Sequence, residues 1–279
     1  LAGNTVILRG GSDSINTSKV LARCLRQGLV SANLPENAVQ IIENTDREAV
    51  TVMLQSAGEI DVIVPRGGKS LVEKVQQEAR VPVFAHLEGI CHLYVDKDAN
   101  IDKATKIILN SKMRRTGICG ALETLLVDKE ISKKVIPVFI EELIKAGCHL
   151  KGDEETVKID NSVELAIEED WYTEYLDAIL SVKVVESFDS AINHIAKYSS
   201  GHTESIITEN KKTAEKFLSK IDSAIVMHNT STQFADGGQF GMGAEIGIST
   251  GRIHARGPVG ANQLTSFKYI VRGKDQIRD

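Results

Sequence analysis

Among the side chains that can act as nucleophiles, Cys119 has the most reactive surroundings in the sequence. It lies in the segment 112–120, where Lys112, Arg114 and Arg115 precede it and glycines stand on both sides. Positive charge near a thiol lowers its pKa and favours the nucleophilic thiolate. The glycines would let a substrate carbonyl reach both the sulfur and backbone N–H groups that stabilise an oxyanion. The segment predicts a catalytic cysteine, and the alternative is a buried thiol that only packs.

Two turns that each begin Arg-Gly-Gly follow predicted strands in the first third of the chain. Their residues are Arg9, Gly10 and Gly11 in the first turn, and Arg66, Gly67, Gly68 and Ser70 in the second. At the carboxyl end of a parallel strand, glycines admit a ligand to the backbone, and the next helix offers free N–H groups to an anion. The turns predict seats for phosphate or ribose, and the first arginine favours NADP over NAD. Because neither turn is a complete dinucleotide fingerprint or P-loop, plain strand-to-helix connections are the alternative.

Histidines and acids offer weaker candidates. Cys91 lies within the segment 86–92, which contains two histidines and a glutamate, but no fourth ligand has a usual spacing, so we predict no metal site. His202 and His254 could serve as bases or phosphate partners, with a structural role as the alternative. Glu174 could hold a ribose hydroxyl, with an exposed loop acid as the alternative. The spacing shows no evident cysteine–histidine pair.

Composition excludes several classes of protein. Of the 279 residues, 42% are hydrophobic and 25% charged, and the net charge is −5 without long runs of one sign. These values argue against a nucleic-acid or polybasic membrane surface, and no apolar stretch approaches the roughly 20 residues that cross a bilayer. The four cysteines, at 24, 91, 119 and 148, are too scattered for a disulfide framework. We therefore expect a cytoplasmic protein.

The elements that must position these residues follow a pattern of short β-branched runs alternating with amphipathic segments, which indicates a parallel sheet with crossover helices. Predicted strands are 5–8, 39–42, 61–64, 93–95, 122–127, 182–185, 205–208, 224–227 and 264–271. Predicted helices are 14–29, 46–56, 70–79, 101–111, 131–146, 188–198 and 211–220. Repeated glycines in 229–260 predict a long shaped loop. The last strand needs a partner sheet, which we expect in another subunit.

The chain resembles the glutamate-5-semialdehyde dehydrogenases, or γ-glutamyl phosphate reductases, of the aldehyde dehydrogenase superfamily along its whole length. The motifs that carry the resemblance are residues 6–11, 63–68, 110–112 followed by Cys119, 121–126, 191–195, 200–204, 236–241 and 254–258. The resemblance implies an aldehyde-dehydrogenase-like α/β fold. It assigns 1–86 to an incomplete Rossmann-type cofactor domain, 87–261 to an α/β catalytic domain and 262–279 to a C-terminal oligomerisation strand. Because family members begin well before Leu1, it also implies an N-terminally truncated chain with weak or no activity.

The resemblance further implies the NADPH-dependent reduction of L-glutamyl 5-phosphate to L-glutamate 5-semialdehyde, a step of proline biosynthesis, in a homo-oligomer that is a dimer or tetramer. It makes Cys119 the nucleophile and adds Asn110 and Arg115 to the catalytic set. It places NADP(H) on both Arg-Gly-Gly turns and on Glu174. Phe84 stands where hydrolytic aldehyde dehydrogenases carry a water-activating glutamate. The alternatives are a coenzyme A-linked acylating dehydrogenase, a thiol hydrolase, and a catalytically silent fragment or assembly module.

Overall fold

The structure, a computed structural model, describes residues 2–279 except for the side chain of Lys69. The chain forms two compact units. The first comprises the residues up to Val52 together with Gly260–Asp279, and the second comprises Met53–Val259. This division rests on packing within the chain. The functional division into 1–86, 87–261 and 262–279 stays a prediction.

The first unit is built on a single β–α–β crossover. Strand β1 (Val6–Leu8) pairs in parallel with β2 (Val39–Ile41), and helix α1 (Ile15–Ser31) connects them. The Arg26 side chain of α1 donates a hydrogen bond to the carbonyl of Val39 at 2.7 Å, which fixes the helix to the second strand. All three elements were predicted from sequence and are confirmed within two residues.

The C-terminal segment of the first unit does not form the strand predicted at 264–271. A short 3₁₀ helix, Asn262–Leu264, is followed by irregular backbone in which Phe267, Tyr269 and Val271 are exposed. A strand needs a neighbour that supplies backbone donors and acceptors, and within the described residues this segment pairs with no strand. Its apolar composition predicted a strand because a sequence pattern does not show whether a partner is present.

The second unit begins with helices rather than with a further sheet strand. Helix α2 (Glu48–Gln55) crosses the boundary between the units, and α3 (Lys69–Glu78) follows. The strand predicted at 61–64 is wrong, because one isolated bridge between Ile63 and Val83 is the pairing found there. Its side chains are at most half-buried, whereas the prediction placed them in a sheet covered on both faces.

The main body of the second unit is a seven-stranded, wholly parallel sheet in the order β6-β5-β7-β4-β3-β8-β9. Its strands are β3 (Cys91–Val95), β4 (Leu122–Asp128), β5 (His149–Gly152), β6 (Glu164–Leu165), β7 (Ile179–Val185), β8 (Thr203–Ile207) and β9 (Ile225–His228). Its helices are α4 (Ile101–Met113), α5 (Lys129–Lys145), α6 (Glu154–Ile159), α7 (Phe188–Tyr198) and α8 (Lys211–Lys220). Of these elements, the sequence prediction missed β5, α6 and β6.

Helices cover both faces of this sheet, so its central strands are apolar at consecutive positions rather than at alternate ones. Leu125 packs with Phe139 of α5 on one face, and Leu126 packs with Phe217 of α8 on the other. The resulting three layers make the sheet a rigid platform. Loops at the ends of its strands can therefore hold side chains in fixed positions.

The glycine-rich stretch 229–260 is mostly irregular, as predicted. It contains a 3₁₀ helix (Thr232–Phe234) and the two-residue strands β10 (Ile248–Ser249) and β11 (Gly257–Pro258), which pair antiparallel. Within the described part of the chain, none of the helices combines the length and apolar character needed to span a bilayer.

Candidate active site

The candidate site lies at the amino-terminal edge of the seven-stranded sheet. Cys119 comes three residues before β4, His202 immediately before β8, and His86 and Glu174 each five residues before a strand, β3 and β7 respectively. These four strands are neighbours and parallel, so their amino ends meet at one edge. Residues far apart in sequence are thereby brought around one thiol.

Cys119 is half-buried against an apolar cluster that includes Met227 and Ile248. Its backbone lies so close to Gly89 that a Cβ atom on Gly89 would stand 2.1 Å from the Cys119 carbonyl oxygen. The thiol of Cys91 donates a hydrogen bond to that same carbonyl at 3.1 Å. The backbone of Cys119 is therefore fixed from two sides.

Two imidazoles lie beside the thiol. The sulfur of Cys119 and one ring nitrogen each from His86 and His202 lie within 4.8 Å of one another. His86 Nδ1 is 2.8 Å from the carbonyl oxygen of Ile248, and His202 Nδ1 is 2.9 Å from the hydroxyl of Thr203. Among the residues that the structure describes, the buried Nε2 atom of His202 has no hydrogen-bond partner. Burial lowers the pKa of this histidine to about 3, so the ring is neutral at pH 7.

The sequence analysis missed this pairing of the cysteine with two histidines. The sequence signal that could have found it is positional, because each of the three residues precedes a strand of the same predicted parallel sheet. Spacing along the chain did not indicate that the two histidines lie close together, since His86 and His202 are more than a hundred residues apart.

The pKa of Cys119 is raised, whereas the sequence analysis predicted that it is lowered. The pKa of the Cys119 thiol is raised to about 11, chiefly by burial and then by the carboxylates of Glu174 and Glu245, while the guanidinium of Arg66 acts in the lowering direction. The cation that favours the thiolate is therefore Arg66, which the sequence analysis assigned to cofactor binding. Desolvation by the apolar cluster outweighs its effect.

The three cations expected to activate the thiol have other roles. Lys112 is fully buried and donates a hydrogen bond to Glu123 at 2.6 Å, while burial raises the pKa of that carboxyl to about 7 against the effect of the lysine. The Arg114 guanidinium donates to the side-chain oxygen of Gln233 at 3.3 Å. Arg115 points its side chain to solvent.

A glutamine that the sequence analysis did not single out holds the cysteine loop. The Gln233 amide nitrogen donates to the carbonyls of Ser111 and Arg115, at 2.8 and 3.1 Å. The backbone N–H of Thr232 donates to the Ser111 hydroxyl at 3.1 Å. These bonds tie both ends of the turn that leads from α4 to Cys119. A lone glutamine in a glycine-rich loop carries no sequence signal for such a role.

Of the remaining predicted site residues in this unit, Glu174 is close to the thiol and Asn110 is exposed on α4. A carboxylate oxygen of Glu174 accepts a hydrogen bond from the backbone N–H of Gly89 at 2.9 Å. Burial raises the pKa of Glu174. Because Gly89 abuts the backbone of Cys119, Glu174 is connected to Cys119 through one residue.

The first Arg-Gly-Gly turn, in the first unit, has properties that fit an anionic ligand. The Nε atom of Arg9 is buried and has no hydrogen-bond partner in the described part of the chain, while another guanidinium nitrogen donates to the carbonyl of Thr45 at 2.9 Å. Helix α1 begins after Ser14 with no side-chain cap and no acidic residue in its first turn. Gly10 and Gly11 precede it. Free N–H groups beside a guanidinium suit the phosphates of a nucleotide.

The second turn, in the second unit, is similarly open. Helix α3 begins after Gly68, again with no side-chain cap and no acidic residue in its first turn. Gly67, Gly68 and Ser70 are exposed, and a Cβ atom on Gly68 would meet nothing within 4 Å. Taken by itself, this turn also leaves backbone donors open to an anionic or hydroxyl-bearing ligand.

Residues 1–160 match the aldehyde dehydrogenase family, and this chain belongs to that family. Membership confirms the fold class expected from the sequence and implies a nicotinamide cofactor. An acetylating aldehyde dehydrogenase from Geobacillus thermoglucosidasius has a similar fold, with a TM-score of 0.75 at 19% identity over 99% of this chain and 70% of that one.

Within the family, the chain is similar to proteins named γ-glutamyl phosphate reductases. It is 58% identical to that of Parvibaculum lavamentivorans and 59% identical to that of Mesorhizobium japonicum, each over 278 residues. The matches cover 99% of this chain but 66% and 65% of the relatives, so it spans slightly less than two thirds of their length. The crystal structure of the Thermotoga maritima enzyme has a TM-score of 0.97 and 49% identity, covering 99% of this chain and 67% of that one.

Proposed function

We propose that this protein catalyses the NADPH-dependent reduction of L-glutamyl 5-phosphate to L-glutamate 5-semialdehyde, with release of phosphate, in proline biosynthesis. The observation that carries the proposal is a half-buried thiol, Cys119, at the edge of an aldehyde-dehydrogenase sheet. Support for the substrate comes from relatives at 57–59% identity that are named γ-glutamyl phosphate reductases.

In the proposed first step, the Cys119 thiol gives up its proton to solvent and the sulfur attacks the C5 carbonyl of glutamyl phosphate. A carbon–sulfur bond forms, the carbon–oxygen bond to phosphate breaks, and phosphate leaves with the bonding electrons. Arg66 favours the thiolate and can pair with the departing phosphate, because its cation already acts on this thiol. The product is a glutamyl thioester on Cys119.

In the proposed second step, the thioester becomes the aldehyde and the thiolate is restored. NADPH, when bound, supplies the hydride that the carbonyl carbon takes up. We propose that Arg9, Gly10 and Gly11 hold its adenosine phosphates, and that Arg66, Gly67, Gly68 and Ser70 line the nicotinamide side. Glu174 would accept a hydrogen bond from a ribose hydroxyl close to Cys119.

A reductase of this kind must keep water from its thioester. Support comes from Phe84, which is half-buried and which the family resemblance aligns with the water-activating glutamate of hydrolytic members of the superfamily. Without that base, hydrolysis of the thioester lacks the general-base contribution, typically about 10²–10⁴-fold. The thioester then reacts with phosphate or with a hydride in preference to water.

The test runs the reaction backwards, following NADPH formation from glutamate 5-semialdehyde with and without phosphate. We expect phosphate-dependent NADPH formation that Cys119→Ala abolishes and that Cys24→Ser, an exposed thiol on α1, leaves intact. Activity that survives Cys119→Ala would overturn the nucleophile. Faster NADPH formation with coenzyme A than with phosphate would support the coenzyme A-linked alternative, and faster reaction with NAD than with NADP would overturn the cofactor.

We also propose a cytoplasmic homo-oligomer, a dimer or tetramer. Support comes from the C-terminal segment, where Phe267, Tyr269 and Val271 are 79–88% exposed. Clustered large apolar side chains usually pack against a partner. Light scattering of the intact protein tests this, and a monomer at all concentrations would contradict it.

A further inference from the structure

The three side chains around the thiol have the composition of a metal site. Their ligand atoms, one each from His86, Cys119 and His202, lie within 4.8 Å of one another. We propose that these residues bind a soft divalent cation, of which Zn²⁺ is the type, and that the bound ion reversibly blocks the thiol. Neither the family match nor the proposed reaction calls for such a site.

The donor set and its geometry fit zinc. Zinc prefers thiolate and imidazole ligands in a tetrahedron, with Zn–S near 2.3 Å and Zn–N near 2.0–2.1 Å. These lengths place the ligand atoms about 3.3–3.6 Å from one another. Since the three atoms already lie within 4.8 Å, rotation of side chains has to close each pair by at most about 1.5 Å. The fourth position stays open to water or to a ligand.

Each of the two imidazoles has a neighbour at Nδ1. On His86 this atom lies 2.8 Å from the carbonyl oxygen of Ile248, which can only accept, so Nδ1 donates and the ring lone pair is on Nε2. On His202 Nδ1 lies 2.9 Å from the hydroxyl of Thr203. Hydrogen bonds of this kind orient metal-binding imidazoles.

His202 supplies an independent argument for a ligand. Its side chain is fully buried, and its Nε2 atom has no hydrogen-bond partner among the described residues. A buried polar atom without a partner destabilises the fold, and coordination of a cation would satisfy it. The sequence prediction of no metal site considered Cys91, whose thiol instead donates to the Cys119 carbonyl.

Binding would act on the nucleophile itself. The Cys119 thiol loses its proton to solvent, a sulfur–zinc bond forms, and no electrons are transferred. The sulfur lone pair is then unavailable to a carbonyl. When a chelator removes the ion, the sulfur takes a proton from solvent and the free thiol is restored, so the block is reversible.

The test measures metal binding directly, without the reaction. The intact, reduced protein is titrated with Zn²⁺ against a chromophoric chelator, and with Co²⁺ while the sulfur-to-metal absorption band is recorded. We expect one ion per chain, with affinity lowered about tenfold or more by His86→Gln, His202→Ala and Cys119→Ser. The matched controls Cys24→Ser and His149→Gln remove an exposed thiol and an exposed imidazole, and should bind as the parent does.

A second readout covers the case in which His202→Ala fails to fold. Zn²⁺ should slow alkylation of Cys119 about tenfold or more in the parent and not in His86→Gln, and a chelator should restore the rate. The proposal is overturned if zinc affinity is the same in Cys119→Ser, if binding is lost in Cys24→Ser, or if Zn²⁺ leaves the alkylation rate unchanged.

Discussion

The contact between Gly89 and the backbone of Cys119 predicts a sharp effect of one methyl group. In Gly89→Ala the new Cβ atom would lie 2.1 Å from the Cys119 carbonyl oxygen and 2.7 Å from its Cα atom. Since real Cβ atoms essentially never come closer than 3.0 Å to such atoms, the cysteine loop must retreat by about 0.9 Å. Both contacts are with backbone, so no flexible side chain can rotate away.

The expected loss follows from that displacement. A misplacement of about 1 Å at a reacting group costs about a hundredfold in rate, or about 2.7 kcal/mol. Overpacking of this kind also lowers the free energy of unfolding by about 1–3 kcal/mol. We therefore expect Gly89→Ala to fold with a lowered Tm and to form NADPH from glutamate 5-semialdehyde and phosphate about a hundredfold more slowly.

A matched variant separates the clash from the general effect of replacing glycine. Gly117 lies in the same loop as Cys119, and a Cβ atom there would meet its nearest neighbour, the Leu176 carbonyl oxygen, at an ordinary 3.7 Å. Gly117→Ala should stay within about twofold of the parent rate, since the Gly-to-Ala change in unfolded-state entropy is the same. Equal rates in Gly89→Ala and Gly117→Ala would refute the claim that this contact positions the nucleophile.

Three further predictions concern charge. Lys112→Met leaves the Glu123 carboxyl buried without its partner, so the free energy of unfolding in urea should fall by about 3–5 kcal/mol. A thiol pKa of about 11 predicts that alkylation of Cys119 accelerates about tenfold per pH unit from about pH 7 to pH 10, and that Arg66→Gln slows it throughout. Burial lowers the pKa of His194 to about 2, so the unfolded state binds more protons below about pH 6.5. The free energy of unfolding should therefore fall on acidification, by up to about 1.4 kcal/mol per pH unit for this group.

Each of these has a control. Adding Glu123→Leu to Lys112→Met should recover most of the lost stability, and a single variant as stable as the parent would contradict the buried pair. Glu174→Gln should accelerate alkylation, so a shift in the same direction as the arginine variant would rule out the charge assignment. His194→Phe should flatten the acid slope while His149→Gln, which is exposed, keeps it. An unchanged slope in His194→Phe would refute the linkage.

Local periodicity predicted the helices well because an amphipathic helix depends on residues three and four apart. Helices α7 and α8 span the residues that the sequence indicated, 188–198 and 211–220. The strands depended on partners elsewhere in the chain. The runs at 61–64 and 264–271 both have strand composition. Within the described residues, the first makes one isolated bridge, between Ile63 and Val83, and the second makes no strand pairing.

The roles given to the site residues stay predictions. Cys119 was chosen from its neighbours in sequence, and Glu174 was assigned to a ribose hydroxyl by the resemblance. The pKa of Cys119 could not be predicted from sequence. It depends on burial of the thiol and on the ion pair that Lys112 forms with Glu123, and both are properties of the folded chain. The two histidines at the thiol come together only through the parallel sheet.

The central claim, that Cys119 carries the glutamyl group during the reaction, is tested most directly in a single turnover without phosphate. Glutamate 5-semialdehyde and NADP⁺ mixed with the intact protein should give a burst of one NADPH per active thiol. The reaction should then stop, with a glutamyl adduct on the peptide containing Cys119, and phosphate should restart it. A burst of equal size in Cys119→Ala, or an unmodified Cys119 peptide after the burst, would contradict the account.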